Sequence, residues 1–134
     1  MLTEKESRYL MEIYESYLKG MSYVGPQYIA ERMNVKRPSA YEALQKLLKK
    51  GILKNEHGKY IITEEGMHVA KRILRTHRII ETMLYRAGVE LDKACECASR
   101  IQNEFTEDMI EKICEYLGYP KHCPHGKPIP EVKK

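Results

Sequence analysis

The sequence predicts a mostly α-helical chain with a small β-wing: an N-terminal winged helix-turn-helix over residues 1–70, then an α-helical dimerisation domain over residues 71–134. Three observations carry this. A short helical stretch from Pro26 to Met33, a tight Asn34-Val35 turn and a basic helix from Lys36 to Lys50 follow one another. Two strand-like runs around a polar turn, within Gly51 to Thr63, come directly after. Helix, turn, basic helix and ribbon is the layout of a winged helix-turn-helix. Helical periodicity then resumes at Thr63 and continues to Gly118, presenting more apolar surface than so short a chain covers by itself.

Each element has its own local reason. Thr3-Glu-Lys-Glu6 is a capping box, in which the Thr3 hydroxyl takes one orphan N–H and Glu6 reaches back. The helix it opens places Tyr9, Leu10, Ile13, Tyr14, Tyr17 and Leu18 on one stripe and stops at Gly20. Pro26 starts the second helix from a favoured first position, and Pro38 does the same for the third. In the third, Ala40, Leu44, Leu47 and Leu48 face inward, which leaves Tyr41, Glu42, Gln45 and Lys46 outward. The ribbon is Ile52-Leu53 and Tyr60-Ile61-Ile62, with His57-Gly58 in its turn. Thr63 caps a long fourth helix, and Glu64 and Glu65 suit its positive end. That helix runs through Val69, Ile73, Leu74, Ile79, Ile80, Met83 and Leu84 to Gly88. A fifth helix covers Asp92 to about Phe105 and a sixth Thr106 to Gly118. The segment from Tyr119 to Lys134 holds four of the six prolines and reads as a loop.

Composition narrows the function classes. No apolar run approaches the length of a membrane span and the N-terminus lacks a signal-peptide core, so a cytoplasmic protein without membrane contact is expected. Residues 1–75 carry 14 Lys/Arg against 9 Asp/Glu, whereas residues 76–134 carry 9 against 10. Between 36 and 54 stand six cations (Lys36, Arg37, Lys46, Lys49, Lys50, Lys54) and one acid, Glu42. Charge alone fits a solvated lysine face as well as a phosphate-binding one; the winged-helix layout decides for double-stranded DNA. On that reading Lys36, Arg37, Pro38, Ser39, Tyr41, Glu42, Gln45 and Lys46 line the contact. Arg37, Ser39 and Lys46 fix register on phosphates, and Tyr41 and Glu42 project towards base edges. Lys54 and Lys59 of the ribbon reach the neighbouring backbone or minor groove. The unpartnered helical faces point to a homodimer, and a symmetric dimer suits a palindromic operator.

The four cysteines are Cys95, Cys97, Cys114 and Cys123. Cys95-x-Cys97 lacks zinc-ribbon spacing, and i, i+2 positions on a helix face apart, so the pair alone is a poor chelate. Cys114 reads as a buried free thiol.

Several segments together resemble the diphtheria-toxin-repressor and manganese-transport-regulator family of metal-responsive repressors. They are Arg8-Tyr-Leu-Met-Glu-Ile-Tyr14, Ile29-Ala-Glu31, Pro38-Ser39, Leu47 to Leu53, and Thr63-Glu-Glu-Gly66. The most specific are Arg75-Thr-His-Arg-Ile-Ile-Glu81 and Cys123-Pro-His-Gly-Lys-Pro-Ile-Pro130. The resemblance spans essentially the whole chain and implies the two-domain form, without a C-terminal SH3-like domain. It also implies metal sites between the first helix and the dimerisation helices. At the positions matching one of these stand Arg8, Met11, Ser99, Gln102 and Asn103. Arginine does not ligate a cation, and Ser, Gln and Asn replace carboxylate and imidazole poorly, so that site is expected to be lost.

The positions of a second family site are His77, Glu81, Cys123 and His125. His77 and Glu81 are i, i+4 on one helical face, and Cys123-x-His125 is a short loop chelate. His77 with Glu81 alone reads as a surface pair; with Cys123 and His125 at matched positions, a single site for a divalent transition metal is expected. Thiolate, imidazole and carboxylate suit Zn²⁺, Fe²⁺ or Co²⁺ better than Mn²⁺. Cys95 and His122 are further ligand candidates. The leading function is thus a homodimeric, sequence-specific transcriptional regulator responding to metal. The alternative is a metal-independent DNA-binding or architectural factor of the same fold. No glycine-rich phosphate loop, nucleophile elbow or His-Glu-x-x-His motif is present in the sequence, so catalysis is not expected.

Overall fold

The computed structural model describes residues 2–132. Its elements run α1 (Glu4–Leu18), α2 (Pro26–Met33), α3 (Arg37–Lys49), β1 (Leu53–Glu56), β2 (Lys59–Ile62), α4 (Glu64–Arg86), α5 (Leu91–Ile101), a 3-10 turn (Gln102–Glu104) and α6 (Glu107–Tyr116). Contacts divide the chain into two compact units, Met1–Ala70 and Lys71–Lys134, with the division falling inside α4. Among the described residues no helix is long and apolar enough to cross a membrane.

In the first unit the capping box forms as expected: Glu6 N–H donates to Thr3 Oγ1 at 3.1 Å, and Thr3 N–H to Glu6 Oε1 at 2.8 Å. Tyr9, Leu10, Ile13 and Tyr14 are buried, but Tyr17 and Leu18 are 43% and 60% exposed. The apolar stripe therefore continues one turn past the side chains that cover it. Asn34 ends α2 in the left-handed region (φ 54°), and Val35 N–H reaches back to the Ala30 carbonyl at 3.0 Å. This stop lets α3 restart at once, with Arg37 first and Pro38 second rather than first. Ala40, Ala43, Leu44 and Leu47 are buried, while Leu48 is only half-buried.

The ribbon is antiparallel, with Leu53 opposite Ile62 and Glu56 opposite Lys59. Its first strand starts at Leu53, one residue later than expected, and runs on to Glu56. His57 and Gly58 both have positive φ (54° and 83°), which the right-handed strand twist requires of a two-residue hairpin. Asn55 Oδ1 holds this turn by accepting from Gly58 N–H at 2.9 Å. Thr63 Oγ1 then accepts from Gly66 N–H at 2.9 Å and donates to the Gly51 carbonyl at 2.6 Å, capping α4 against the ribbon. Gly66 is required here: a β-carbon would overlap the Ile52 carbonyl oxygen and lie 2.9 Å from Ile62 Cγ1.

The second unit closes around Ile79, Ile80, Ala98, Ile110, Cys114 and Ile129, contributed by α4, α5, α6 and the C-terminal loop. The fifth helix stops at Ile101 and passes through the 3-10 turn, and Thr106 caps α6 by accepting from Met109 N–H. The loop is not loose. Arg75 of α4 donates to Glu111 at 3.1 Å and to the Pro130 carbonyl at 2.9 Å. Arg78 binds the Pro128 carbonyl, and Ile129 N–H donates to the Lys121 carbonyl at 2.8 Å.

Candidate metal centre and nucleic-acid interface

Glu81 is the centre of the second unit's polar chemistry. It lies on the buried side of α4 between Ile80 and Thr82 and is 1% exposed. One helical turn earlier, His77 brings Nε2 to 3.3 Å from Glu81 Oε2. From the C-terminal loop, His125 brings Nδ1 to 2.9 Å from Glu81 Oε1. The loop achieves this through a tight turn in which Cys123 N–H donates to the Lys127 carbonyl and Gly126 N–H to the Cys123 carbonyl, both at 2.8 Å. Gly126 supplies the positive φ (80°) that turn needs.

The four expected ligands do not gather into one set. Two sets of three form instead, sharing Glu81: His77, Glu81 and Cys95, and Glu81, Cys123 and His125. Within each, the ligand atoms lie within 4.8 Å of one another. Cys95 Sγ stands 3.6 Å from His77 Nε2. Cys97, two residues on, is exposed, as the i, i+2 argument required, and His122 is exposed and belongs to neither set. Sequence reasoning underweighted Cys95 because its partner lies on another helix. It missed Gln102 altogether as a supporting residue. That side chain, 8% exposed, meets His77 Nδ1 at 3.2 Å through Oε1. With Nδ1–H donated there, the Nε2 lone pair is turned towards Glu81 and Cys95.

The electrostatics favour a cation. Burial pushes the His77 imidazole below its ordinary value, against the pull of Glu81, so it stays neutral at pH 7. Burial, then the hydrogen bond and charge of Glu81, push the Cys95 thiol up to about 11. Among the described residues, no Lys or Arg pairs with Glu81; the side chains against its two oxygens are the His77 and His125 imidazoles. A buried carboxylate ringed by imidazole and thiol donors is costly alone and well suited to a divalent transition metal, so the residues present fit one.

In the first unit, Lys36, Arg37, Pro38, Glu42 and Lys46 are exposed on and before α3, Tyr41 is 51% exposed, and Ser39 is half-buried. Gln45, expected to face outward, is half-buried and donates Nε2–H to the Tyr60 hydroxyl at 2.7 Å. It fastens α3 to the ribbon. Lys54 pairs with Glu56 at 3.2 Å, and the Lys59 ammonium sits 4.6 Å from the Tyr23 ring centroid, both on the exposed ribbon.

Comparison with known proteins agrees with both halves. Residues 1–61 match the model of the iron dependent repressor N-terminal DNA binding domain. Residues 63–131 match that of the iron dependent repressor metal binding and dimerisation domain. The chain belongs to the iron dependent repressor family. It is 26% identical over 131 residues to the iron-dependent repressor IdeR of Mycobacterium tuberculosis, covering 96% of this chain and 56% of that protein. It thus spans little more than half the length of the curated relatives it matches first. A hypothetical protein from Sulfolobus solfataricus superposes with a TM-score of 0.85 at 30% identity, over 97% of this chain and 100% of that one. The T. acidophilum IdeR crystal structure gives 0.74 at 34% identity, over 100% and 64%.

At the positions expected to have lost a family site, Arg8 pairs with Glu4 along its own helix at 2.7 Å and Ser99 Oγ donates to the Cys95 carbonyl at 3.2 Å. Asn103 is exposed, Met11 is half-buried, and Gln102 serves His77.

Proposed function

We propose that this chain is a homodimeric, sequence-specific DNA-binding transcriptional regulator whose affinity for DNA responds to a divalent transition metal held around Glu81. The observation that carries the reading is the Glu81 carboxylate, 1% exposed and ringed by two imidazoles and two thiols, in a chain whose other unit is a winged helix. Glu81 would hold the metal together with His77 and Cys95 or with Cys123 and His125, the two donor sets that share its carboxylate. These residues come from α4, α5 and the C-terminal loop, and a bound cation would neutralise the buried carboxylate they surround. The donor set suits Fe²⁺, Zn²⁺ or Co²⁺ over Mn²⁺. The name of the IdeR relatives supports iron.

Arg37, Ser39 and Lys46 set register on phosphates, Tyr41 and Glu42 read base edges, and Lys54 and Lys59 touch the flanking backbone. Glu42 is suited to accept from a cytosine amino group. Exposed Tyr85, Met109, Tyr116 and Tyr119 of the second unit support a second copy as the partner of that surface. Metal switches such a protein only through a difference in affinity between DNA-competent and incompetent states.

The test selects genomic fragments with the metal-loaded protein and follows affinity against salt and after chelation. Affinity should fall with a log–log slope of about −0.9 per phosphate contacted, and chelation should weaken it. Salt-insensitive binding, or no fragment selected, contradicts the DNA reading. A second reading, a metal-independent DNA-binding factor, draws on Arg8 and Asn103 where family ligands would stand. Unchanged DNA affinity after verified metal removal would establish it.

A further inference from the structure

We infer that Tyr23 is a positioning residue of the DNA interface: its ring holds the Lys59 ammonium away from Glu56, so that the ribbon presents one un-neutralised cation to a phosphate. The inference deepens the proposed DNA contact and rests on it.

The register of the ribbon sets up a competition for Lys59. Glu56 stands directly opposite it across the hairpin, a position from which opposite charges on adjacent strands interact favourably. They do not pair. Glu56 takes Lys54 at 3.2 Å instead, and the Lys59 ammonium lies over the Tyr23 ring, 4.6 Å from its centroid. Among the described residues, Lys59 has no ion pair. Tyr23 reaches its place through the backbone. Val24 and Tyr60 exchange both N–H to carbonyl bonds at 3.0 Å, an antiparallel bridge that lays Val24 beside β2. Side chains alternate along extended backbone, so with Val24 and Tyr60 buried, Tyr23 and Lys59 share the opposite, exposed face. Gln45 fastens Tyr60 to α3 at 2.7 Å, which fixes Lys59, its chain neighbour, relative to the basic helix. At exposed sites a cation on an aromatic face and a surface ion pair are of similar strength, so this one ring decides which contact Lys59 makes. A lysine paired with Glu56 has to break that pair before it neutralises a phosphate, whereas one resting on a ring keeps its full charge.

The experiment measures binding of the full metal-loaded chain to fluorescently labelled duplex DNA across a range of salt, one duplex a fragment the chain selects and one of random sequence. Tyr23→Leu should lower the log–log slope by about 0.9 per chain bound, on both duplexes alike, while Tyr23→Phe should keep the slope of the unmodified chain. In a Glu56→Gln background, which removes the competing carboxylate, Tyr23→Leu should cost nothing. In a Lys59→Gln background it should also cost nothing, because the ring acts through the lysine. Thermal melts check that each variant folds. Ring-current shifts of the Lys59 side-chain protons in the unmodified chain, expected from a lysine lying on an aromatic face, need no variant at all. Lys59 protons without such shifts, a slope unchanged by Tyr23→Leu, or a loss that persists in either background overturns the positioning role and leaves the DNA reading standing. Salt-insensitive binding by the unmodified chain, or none, overturns the DNA reading and this inference with it.

Discussion

Single side chains decide much of this molecule. Gly66 has no room for a β-carbon beside the Ile52 carbonyl, so Gly66→Ala should cost about 1–3 kcal/mol in denaturant unfolding. The family-like Thr63-Glu-Glu-Gly66 segment is thus legible as a motif in sequence, while its cause, the close approach of the ribbon, is not. Glu6 gives a pH prediction. Burial works to raise its carboxyl, but the Lys50 ammonium at 2.7 Å and the Thr3 backbone and hydroxyl bring it net below the ordinary 4.5. A lowered folded value contributes stability above pH 4.5, lost as pH falls through the folded value. Thermal melts from pH 6 downward should therefore show acid destabilisation that is shallower in Glu6→Gln; parallel pH profiles would contradict it. Gln102 illustrates what sequence leaves hidden. Its residue type argues against metal ligation, and only the fold reveals its contact with His77, a proposed ligand. Gln102→Ala should weaken metal binding about 10–100-fold without abolishing it.

At the scale of elements, α3 separates an exposed face, proposed to read DNA, from the residues that anchor it. Its exposed and buried faces follow the 3.6-residue period, so Tyr41, Glu42 and Lys46 were legible as outward. Gln45 was not, because its partner Tyr60 arrives from a strand fifteen residues away. Lys46→Ala should weaken binding to all DNA sequences alike and reduce the salt slope by about one phosphate, or 0.9. Glu42→Ala should relax preference at one base pair per half-site. Gln45→Ala should leave sequence preference unchanged and lower stability by about 1 kcal/mol, the net value of a lost hydrogen bond. The C-terminal loop was legible as a carrier of chelating residues, since Cys123-x-His125 is a local pattern. Its attachment through Arg75 and Arg78 to backbone carbonyls was not. The single four-ligand site expected from sequence became two sets because Cys95 reaches His77 from α5, a pairing no local spacing encodes.

For the whole molecule, the order of helices and ribbon followed from caps, prolines, glycines and periodicity. Element ends shifted by a residue or a few, as where α5 stops at Ile101 and passes into a 3-10 turn. The exposed aromatics of the second unit predict a dimer at micromolar concentration, and a sedimenting species of 15.7 kDa would contradict it. Under the proposed function, metal around Glu81 and DNA at α3 are energetically coupled. Linkage makes the coupling reciprocal: if metal tightens DNA binding by some factor, DNA must tighten metal binding by the same factor. The decisive measurement is a metal titration of the purified chain with and without a saturating duplex of a selected sequence. The account predicts that the duplex raises metal affinity by about 5–150-fold, the usual range of such coupling, and that Glu81→Gln abolishes the difference. Superimposable metal isotherms with and without DNA would contradict it.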